Sequence, residues 1–196
     1  LPPISPELRF VLNCANYSES YKETILPPSI NWKLVLQLSL NHGLFPLVYK
    51  TLNNLDSQTV PEYVITTLRE RCLKNALCVV GLTNEIIRII KTMEEYGIQL
   101  IILKGSPLSV KINEDITFRP SSDIDILVDP KEFERAEQIL EQMGYTRYSP
   151  DFRLTPRQEK AYFTSYHHFE YFHTKRGISV ELHWRIHSSV VINFPD

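Results

Sequence analysis

The chain of 196 residues is poor in cysteine, since Cys14, Cys72 and Cys78 are an odd number without the spacing of a metal-binding motif. A disulfide framework is therefore not expected, and the reducing cytoplasm is the default location. The sequence also lacks any apolar run approaching the roughly 18–20 residues that cross a bilayer, so no membrane segment is expected. Its first residues lack the basic region and apolar stretch of a secretory signal.

A large excess of either charge is absent as well. The 21 Lys and Arg residues against 23 Asp and Glu residues leave a net charge of −2 at pH 7. Non-specific nucleic-acid binding depends on basic residues that neutralise phosphates, so a long nucleic-acid partner is not expected. Residues 147–187 are modestly basic, with seven Lys and Arg against four Asp and Glu, which weakens this exclusion locally. The sequence leaves the oligomeric state open.

Apolar residues make up 43% of the chain, which is enough for one large domain or two small ones. In the first half they recur at helical spacing. Helices are predicted to begin at Pro6 and near Asn31, and a long helix is predicted from Pro61 to Gly97. These patterns predict a helical region over residues 1–97.

The pattern changes after this point to short, β-branched apolar runs separated by turn residues. Such runs, interrupted by helical segments, predict an α+β domain with a small mixed sheet over residues 98–187. Strands are expected at 98–103, 123–128, 145–148, 166–173 and 178–184, with helices after Pro107 and Pro130.

Two aspartates share one face of the second predicted strand. Because side chains alternate along a strand, Asp123 and Asp125 project together while Ile124 and Ile126 point into the core. Two carboxylates this close repel each other, and a divalent cation such as Mg²⁺ or Mn²⁺ is a suitable counter-charge. The alternative is that they cap a loop or pair with Arg119. Replacing Asp125 by Asn is expected to leave the fold intact or slightly stabilised, because it relieves this repulsion.

A turn that suits a phosphate precedes this strand. Gly105 lets the backbone approach a phosphate closely, and Ser106 lies where the free N–H groups of a helix N-terminus point outward. Lys104 either contacts a phosphate, pairs with an acid or is solvated. Arg119 either contacts a phosphate, forms a salt bridge with the aspartates or is a plain loop residue. The Gly105-Ser106 turn either holds a phosphate or is a simple strand-to-helix connection.

The last predicted strand carries Glu181 and His183 on one face, with Val180, Leu182 and Trp184 on the other. Glu181 is a candidate third carboxylate, the alternative being a solvent-facing hairpin residue. Three carboxylates, bound metal and a phosphate-holding turn are the groups that phosphoryl or nucleotidyl transfer requires.

Five of the six histidines fall within residues 167–187. Of these, His168 and His183 are predicted to line the cleft. Alternation predicts that His167 and His173 share one face of a strand, with His168 on the opposite face. No helical His–Glu–His spacing and no cysteine partner accompanies them, so the sequence does not favour a zinc site.

These motifs carry a resemblance to known proteins. The segments Gly105-Ser106, Ser122-Asp123-Ile124-Asp125 and Glu181 resemble the signature of the DNA polymerase β-like nucleotidyltransferase superfamily. More narrowly, Leu103-Lys104-Gly105, Arg119 to Val128, Gly144-Tyr145 and Val180 to Trp184 resemble a bacterial family of uncharacterised nucleotidyltransferases. The resemblance covers residues 30–187 and includes Asn41-His42-Gly43-Leu44.

The resemblance implies a helical N-terminal region packed on a polymerase β-like nucleotidyltransferase domain. It implies metal-dependent transfer of a nucleoside monophosphate from a nucleoside triphosphate, such as ATP, to an acceptor that the sequence does not identify. Such proteins continue past the last strand, so residues 188–196 are expected to be a tail that leads to a further region.

Roles for individual residues also follow from the resemblance. It implies catalytic and metal-binding roles, with Mg²⁺ or Mn²⁺, for Asp123, Asp125 and Glu181. It implies nucleotide or phosphate contacts for Lys104, Gly105, Ser106 and Arg119.

Two other functions fit the same residues. A non-catalytic module that binds a nucleotide or a protein partner keeps the fold and releases no pyrophosphate. A metal-dependent phosphohydrolase directs the same acids at water and releases phosphate.

Overall fold

A computed structural model describes residues 4–15, 29–55, 59–113, 115–152 and 154–187, without the side chains of residues 106, 112 and 113. The predicted tail, residues 188–196, lies outside this part of the chain. The chain divides into two compact units, Leu1–Val79 with Ser109–Pro120 and Val80–Leu108 with Ser121–Asp196. The domain boundary at residue 97 stays a prediction.

The first unit is helical. It contains α1 (Pro6–Ala15), α2 (Trp32–Asn41), α3 (Phe45–Asn53) and the start of α4 (Glu62–Glu95). The Asn31 side chain accepts a hydrogen bond from the Leu34 amide at 3.2 Å, which caps α2 where the sequence predicts its start. The core of this unit consists of buried apolar side chains: Phe10, Val11, Cys14, Val35, Val48, Leu52, Val60, Val64 and Leu68.

The second unit contains the strands. They are β1 (Leu100–Ile102), β2 (Asp123–Val128), β3 (Thr146–Ser149), β4 (His168–His173) and β5 (Ile178–His183). The helices of this unit are the rest of α4, the start of α5 (Ser106–Asn113), α6 (Phe133–Gln142) and α7 (Pro156–Ser165). Each strand agrees with its predicted bounds to within two residues, whereas α7 is not predicted.

The five strands form one sheet in the order β1-β2-β5-β4-β3. β2 and β5 pair in parallel, and the other neighbouring strands pair antiparallel. This arrangement confirms the predicted α+β class with a small mixed sheet. It also places β2 beside β5, so the two segments with the predicted carboxylates are neighbours although they are far apart in the sequence.

One face of β2 and β5 is apolar and buried, as side-chain alternation predicts. Ile124 and Ile126 of β2 are at most 1% exposed, and Val180 and Leu182 of β5 are fully buried. All four belong to one core cluster, so their burial orients both strands. The residues between them are thereby directed to the opposite face of the sheet.

The described residues contain no helix that combines the length and the hydrophobicity needed to cross a bilayer. Cys14, Cys72 and Cys78 form no disulfide bond in the described part of the chain. Burial raises the pKa of both Cys14 and Cys72 to about 11, which keeps these thiols protonated and unreactive.

Candidate active site

The parallel pairing of β2 with β5 brings two of the predicted carboxylates together. Asp125 lies directly opposite Glu181 in the register of the two strands. Residues opposite each other on adjacent strands project to the same face and are close neighbours. Asp125 is only 2% exposed, so its carboxylate requires hydrogen-bond and charge partners inside the protein.

Two side chains supply those partners. Lys104 donates a hydrogen bond from Nζ to Asp125 Oδ1 at 2.7 Å. His183 Nε2 lies 3.4 Å from the same oxygen and 3.2 Å from Glu181 Oε2. Of the alternatives open for Lys104, the structure therefore shows pairing with an acid. Lys104, which follows β1, and His183, at the end of β5, thus both contact the buried Asp125 carboxylate of β2.

These contacts give the two carboxyl groups different proton affinities. Burial alone raises the pKa of Asp125, but hydrogen bonds with His183 and Lys104 outweigh burial and hold that pKa well below its usual value. Burial and the hydrogen bond with Asp125 raise the pKa of Glu181. Asp125 is therefore the more firmly ionised acid, and Glu181 is the one that takes up a proton more readily.

The donor set of this site fits a divalent metal ion. One oxygen each of Asp125 and Glu181 and one ring nitrogen of His183 lie within 4.8 Å of one another. Carboxylate oxygens suit Mg²⁺ and Mn²⁺. Asp123 lies two residues before Asp125 on β2, opposite Ser179, and is outside this cluster among the described residues. Its predicted role as a metal ligand stays a prediction.

The predicted phosphate-binding turn connects β1 to α5. Gly105 in this turn is buried and has a φ of +80°, in the left-handed region that a residue with a Cβ atom adopts only with strain. Ser106 is the first residue of α5. The local geometry thus agrees with the predicted strand, glycine turn and helix N-terminus, and phosphate binding by this turn stays a prediction.

We expect Gly105→Ala to lower the free energy of unfolding by about 1–2 kcal/mol because of its backbone conformation. The strain comes from φ rather than from crowding, since the nearest atom to an added Cβ is Ser121 Oγ at an ordinary 3.6 Å. Gly81 is the matched control because it lies in α4 with open space around it. Gly81→Ala should raise the free energy of unfolding by about 0.5–1 kcal/mol.

Urea unfolding of both variants should show a lower free energy of unfolding for Gly105→Ala and a higher one for Gly81→Ala than for the wild type. A Gly105→Ala variant as stable as the wild type would show that the turn adopts another conformation in solution.

Arg119 follows a short 3-10 turn, Ile116–Phe118, in the first unit. One guanidinium nitrogen, Nη1, is buried and has no hydrogen-bond partner in the described part of the chain. An arginine nitrogen buried in this way has donor capacity left for an anion. A phosphate contact by Arg119 stays a prediction.

The two predicted cleft histidines have a third beside them. The His168 ring centroid lies 4.8 Å from that of His183 and 4.4 Å from that of His167. The prediction that His167 shares a strand face with His173, opposite His168, is wrong, because His167 lies in a bend before β4. His173 packs instead against Tyr145, with ring centroids 5.1 Å apart. No pattern of residue types marks this bend in the sequence.

The rings of His167 and His168 are partly buried. Burial and the neighbouring His183 lower the pKa of His168 to about 4, and the same two causes lower the pKa of His167. Both imidazoles are therefore neutral at pH 7. His168 faces two acids at longer range, with Nε2 3.8 Å from Glu170 Oε1 and Nδ1 4.0 Å from Glu181 Oε2.

A groove of about 680 Å³ in the second unit lies apart from these residues. Its lining is mainly apolar and includes Ile101, Leu127 and Trp184. None of the predicted site residues lines this groove. Convergent polar groups, rather than a cavity, therefore define the candidate active site.

A family model described as uncharacterised nucleotidyltransferase matches residues 28–194. The matched range contains every candidate site residue and makes up most of the chain. The chain belongs to this family, which confirms the resemblance seen in the sequence motifs. No curated protein and no solved structure matches the chain.

Proposed function

From this family membership we propose that the protein transfers a nucleoside monophosphate from a nucleoside triphosphate to an acceptor and releases pyrophosphate. One observation carries the proposal: Asp125 lies opposite Glu181 on adjacent strands, with Lys104 Nζ 2.7 Å from Asp125 Oδ1. Paired acidic groups beside a lysine are suited to a triphosphate and its metal ions, where catalysis consists mainly of positioning and charge stabilisation.

The proposed metal ligands are Asp123, Asp125 and Glu181. Bound Mg²⁺ or Mn²⁺ would neutralise phosphate charge and polarise the reacting oxygens. His183 has an orienting role, because its Nε2 atom lies within 3.4 Å of an oxygen of both Asp125 and Glu181. Glu181 would either complete the metal site or, because its pKa is raised, accept the proton of an acceptor hydroxyl.

The proposed phosphate contacts come from the turn that follows β1. The Lys104 side chain is 49% exposed while that of its partner Asp125 is 1% exposed, so Lys104 is accessible to an incoming phosphate. Gly105 and the backbone amides that open α5 at Ser106 are the proposed contacts of the β- and γ-phosphates. Arg119 is proposed as a further phosphate contact. The thermal-shift screen described next identifies the preferred base.

A thermal-shift screen tests this proposal. Wild-type protein is heated with ATP, GTP, CTP or UTP, each with and without Mg²⁺ or Mn²⁺. A triphosphate present at 100 times its Kd should stabilise the protein by about 2.7 kcal/mol and raise Tm by several degrees. The shift should require the metal ion and should disappear in the Asp123→Asn/Asp125→Asn double variant.

Other results point to the two alternative functions. A shift that needs no metal and persists in the double variant identifies a nucleotide-binding module. Release of phosphate without labelling of any acceptor identifies a phosphohydrolase. The absence of a shift with every triphosphate contradicts nucleotide binding altogether and favours a module that binds a protein partner.

A further inference from the structure

We propose that His167, His168 and His183 form a second metal site, for a transition ion such as Zn²⁺, beside the carboxylates. Each of the three residues offers a ring nitrogen, and these nitrogens lie within 4.8 Å of one another. The site is distinct in chemistry from the proposed Mg²⁺ site, since imidazole suits Zn²⁺, Ni²⁺ and Cu²⁺ whereas carboxylates suit Mg²⁺. It adds to the proposed function without depending on it.

The strongest observation is a set of unpartnered nitrogen atoms. The Nδ1 atoms of His167, His168 and His183 are all buried, and none has a hydrogen-bond partner in the described part of the chain. A buried polar atom without a partner is costly, and three such atoms on neighbouring rings are unusual. A metal ion that accepts electron pairs from imidazole nitrogens removes this cost.

The orientation of His183 agrees with this role. Its Nε2 atom lies 3.2 Å from Glu181 Oε2 and 3.4 Å from Asp125 Oδ1, so the ring hydrogen is expected on Nε2. Nδ1 then carries a free electron pair. Histidine ligands commonly donate the hydrogen on their second nitrogen to a carboxylate, which fixes the tautomer and raises the basicity of the ligating nitrogen.

The backbone brings the three rings together from β4, β5 and the bend that precedes β4. His168 on β4 lies directly opposite His183 on β5 in the antiparallel register. His167 precedes β4 in a bend, which allows its ring to lie 5.4 Å from that of His183 despite the adjacent position of His168. Without that bend, His167 would point to the other face of the strand.

The distances require only a small contraction. Nitrogen ligands lie about 2.0–2.1 Å from Zn²⁺, so two of them in a tetrahedral site are about 3.3 Å apart. Closing the present spacing, which is at most 4.8 Å, requires the imidazole rings to turn about their side-chain torsions. Three histidines leave one position open, as in catalytic zinc sites.

Metal binding by the full chain tests the proposal without any nucleotide. Protein freed of metal with EDTA is titrated with Zn²⁺ in competition with a chromophoric chelator, and separately with Co²⁺ while visible absorption is recorded. We expect one equivalent of Zn²⁺ and the intense absorption of four-coordinate Co²⁺. His167→Ala and His168→Ala should each weaken Zn²⁺ binding by at least about 100-fold, since loss of an outer-shell partner alone costs 10–100-fold.

His42→Ala is the matched control, because His42 is exposed and lies in the first unit. This variant should bind Zn²⁺ as the wild type does. Circular dichroism of each variant separates lost binding from lost folding, and the Co²⁺ spectrum of the wild type needs no variant at all. Unchanged Zn²⁺ affinity in both cluster variants, or no stoichiometric binding by the wild type, overturns the proposal.

The zinc titration and the thermal-shift screen test the two proposals independently of each other. Zinc binding without a triphosphate-dependent shift upholds this site and contradicts the proposed nucleotidyl transfer. A shift with Mg²⁺ and a triphosphate, without zinc binding, upholds the transfer and rejects this site. Zn²⁺ held by Asp125, Glu181 and His183 instead would survive His167→Ala, which also rejects the histidine site.

Discussion

Asp125→Asn is expected to reduce nucleotidyl transfer by at least about 10³-fold. Removal of one group that stabilises charge in a transition state commonly costs about 10²–10³-fold, and here the same group is also a proposed metal ligand. Asp125 is buried and contacts Lys104 and His183, so its carboxylate is held in a fixed position in the site. The measurement is the rate of pyrophosphate release with the triphosphate and metal that the thermal-shift screen identifies, in the presence of an acceptor that the wild type labels.

Asp151→Asn is the matched control for that assay. Asp151 is an exposed aspartate of the second unit, so its replacement changes net charge equally and should leave the rate unchanged. Wild-type turnover by the Asp125→Asn variant would rule out the assignment of this carboxylate.

The structure also changes the expected effect of Asp125→Asn on stability. From the sequence, loss of a like-charge repulsion with Asp123 predicts a neutral or slightly stabilising change. In the structure the closest charged partner of Asp125 is Lys104, at 2.7 Å, and neutralising Asp125 removes that ion pair. Because the Lys104 side chain is about half exposed and regains water, we expect a loss of only about 1 kcal/mol.

The local features of the site could be predicted because they depend on neighbouring residues in the chain. The alternation of apolar and polar side chains along β2 correctly places Ile124 and Ile126 in the core and Asp125 on the other face, where it contacts Lys104. The glycine turn before α5 is equally local. The register that puts Asp125 opposite Glu181 is not local, because it depends on pairing between two strands far apart in the sequence.

Other features were missed for identifiable reasons. Helix α7 begins with a capping box, in which Thr155 and Gln158 bond each other's backbone and Pro156 occupies the first turn. That signal is present in the sequence, so α7 could have been predicted. The position of His167 could not, since it depends on a bend whose residues carry no turn motif.

A buried acid outside the candidate active site was also not predictable. Glu85 on α4 is 2% exposed, and two of the side chains that accompany its burial lie far from it in the sequence. These two distant partners are Tyr145 and Arg176. Tyr145 donates a hydrogen bond to Oε1 at 2.7 Å, and Arg176 Nη1 lies 3.3 Å from Oε2, while Arg88 is a neighbour on the same helix.

Glu85→Ala is expected to lower the free energy of unfolding by about 3–4 kcal/mol. The variant loses charge-assisted hydrogen bonds and leaves the buried Tyr145 hydroxyl without an acceptor. Arg88 and Arg176 are partly exposed and regain water, which keeps the loss below the upper limit for buried ion pairs. Glu95→Ala, at the exposed end of the same helix, should change stability by less than about 0.5 kcal/mol in urea unfolding.

The pH dependence distinguishes the charge of Glu85 from its packing. Burial alone raises the pKa of Glu85, but hydrogen bonds from Arg88 and Tyr145 outweigh burial and lower that pKa below its usual 4.5. A carboxyl group whose pKa is lower in the folded state stabilises the fold above its unfolded pKa, and this contribution disappears as the pH falls through the folded pKa. The difference in unfolding free energy between wild type and Glu85→Gln should therefore be largest near neutral pH and shrink below pH 4.5. A difference that stays constant down to pH 3 would assign the effect of Glu85 to packing and neutral hydrogen bonds rather than to its charge.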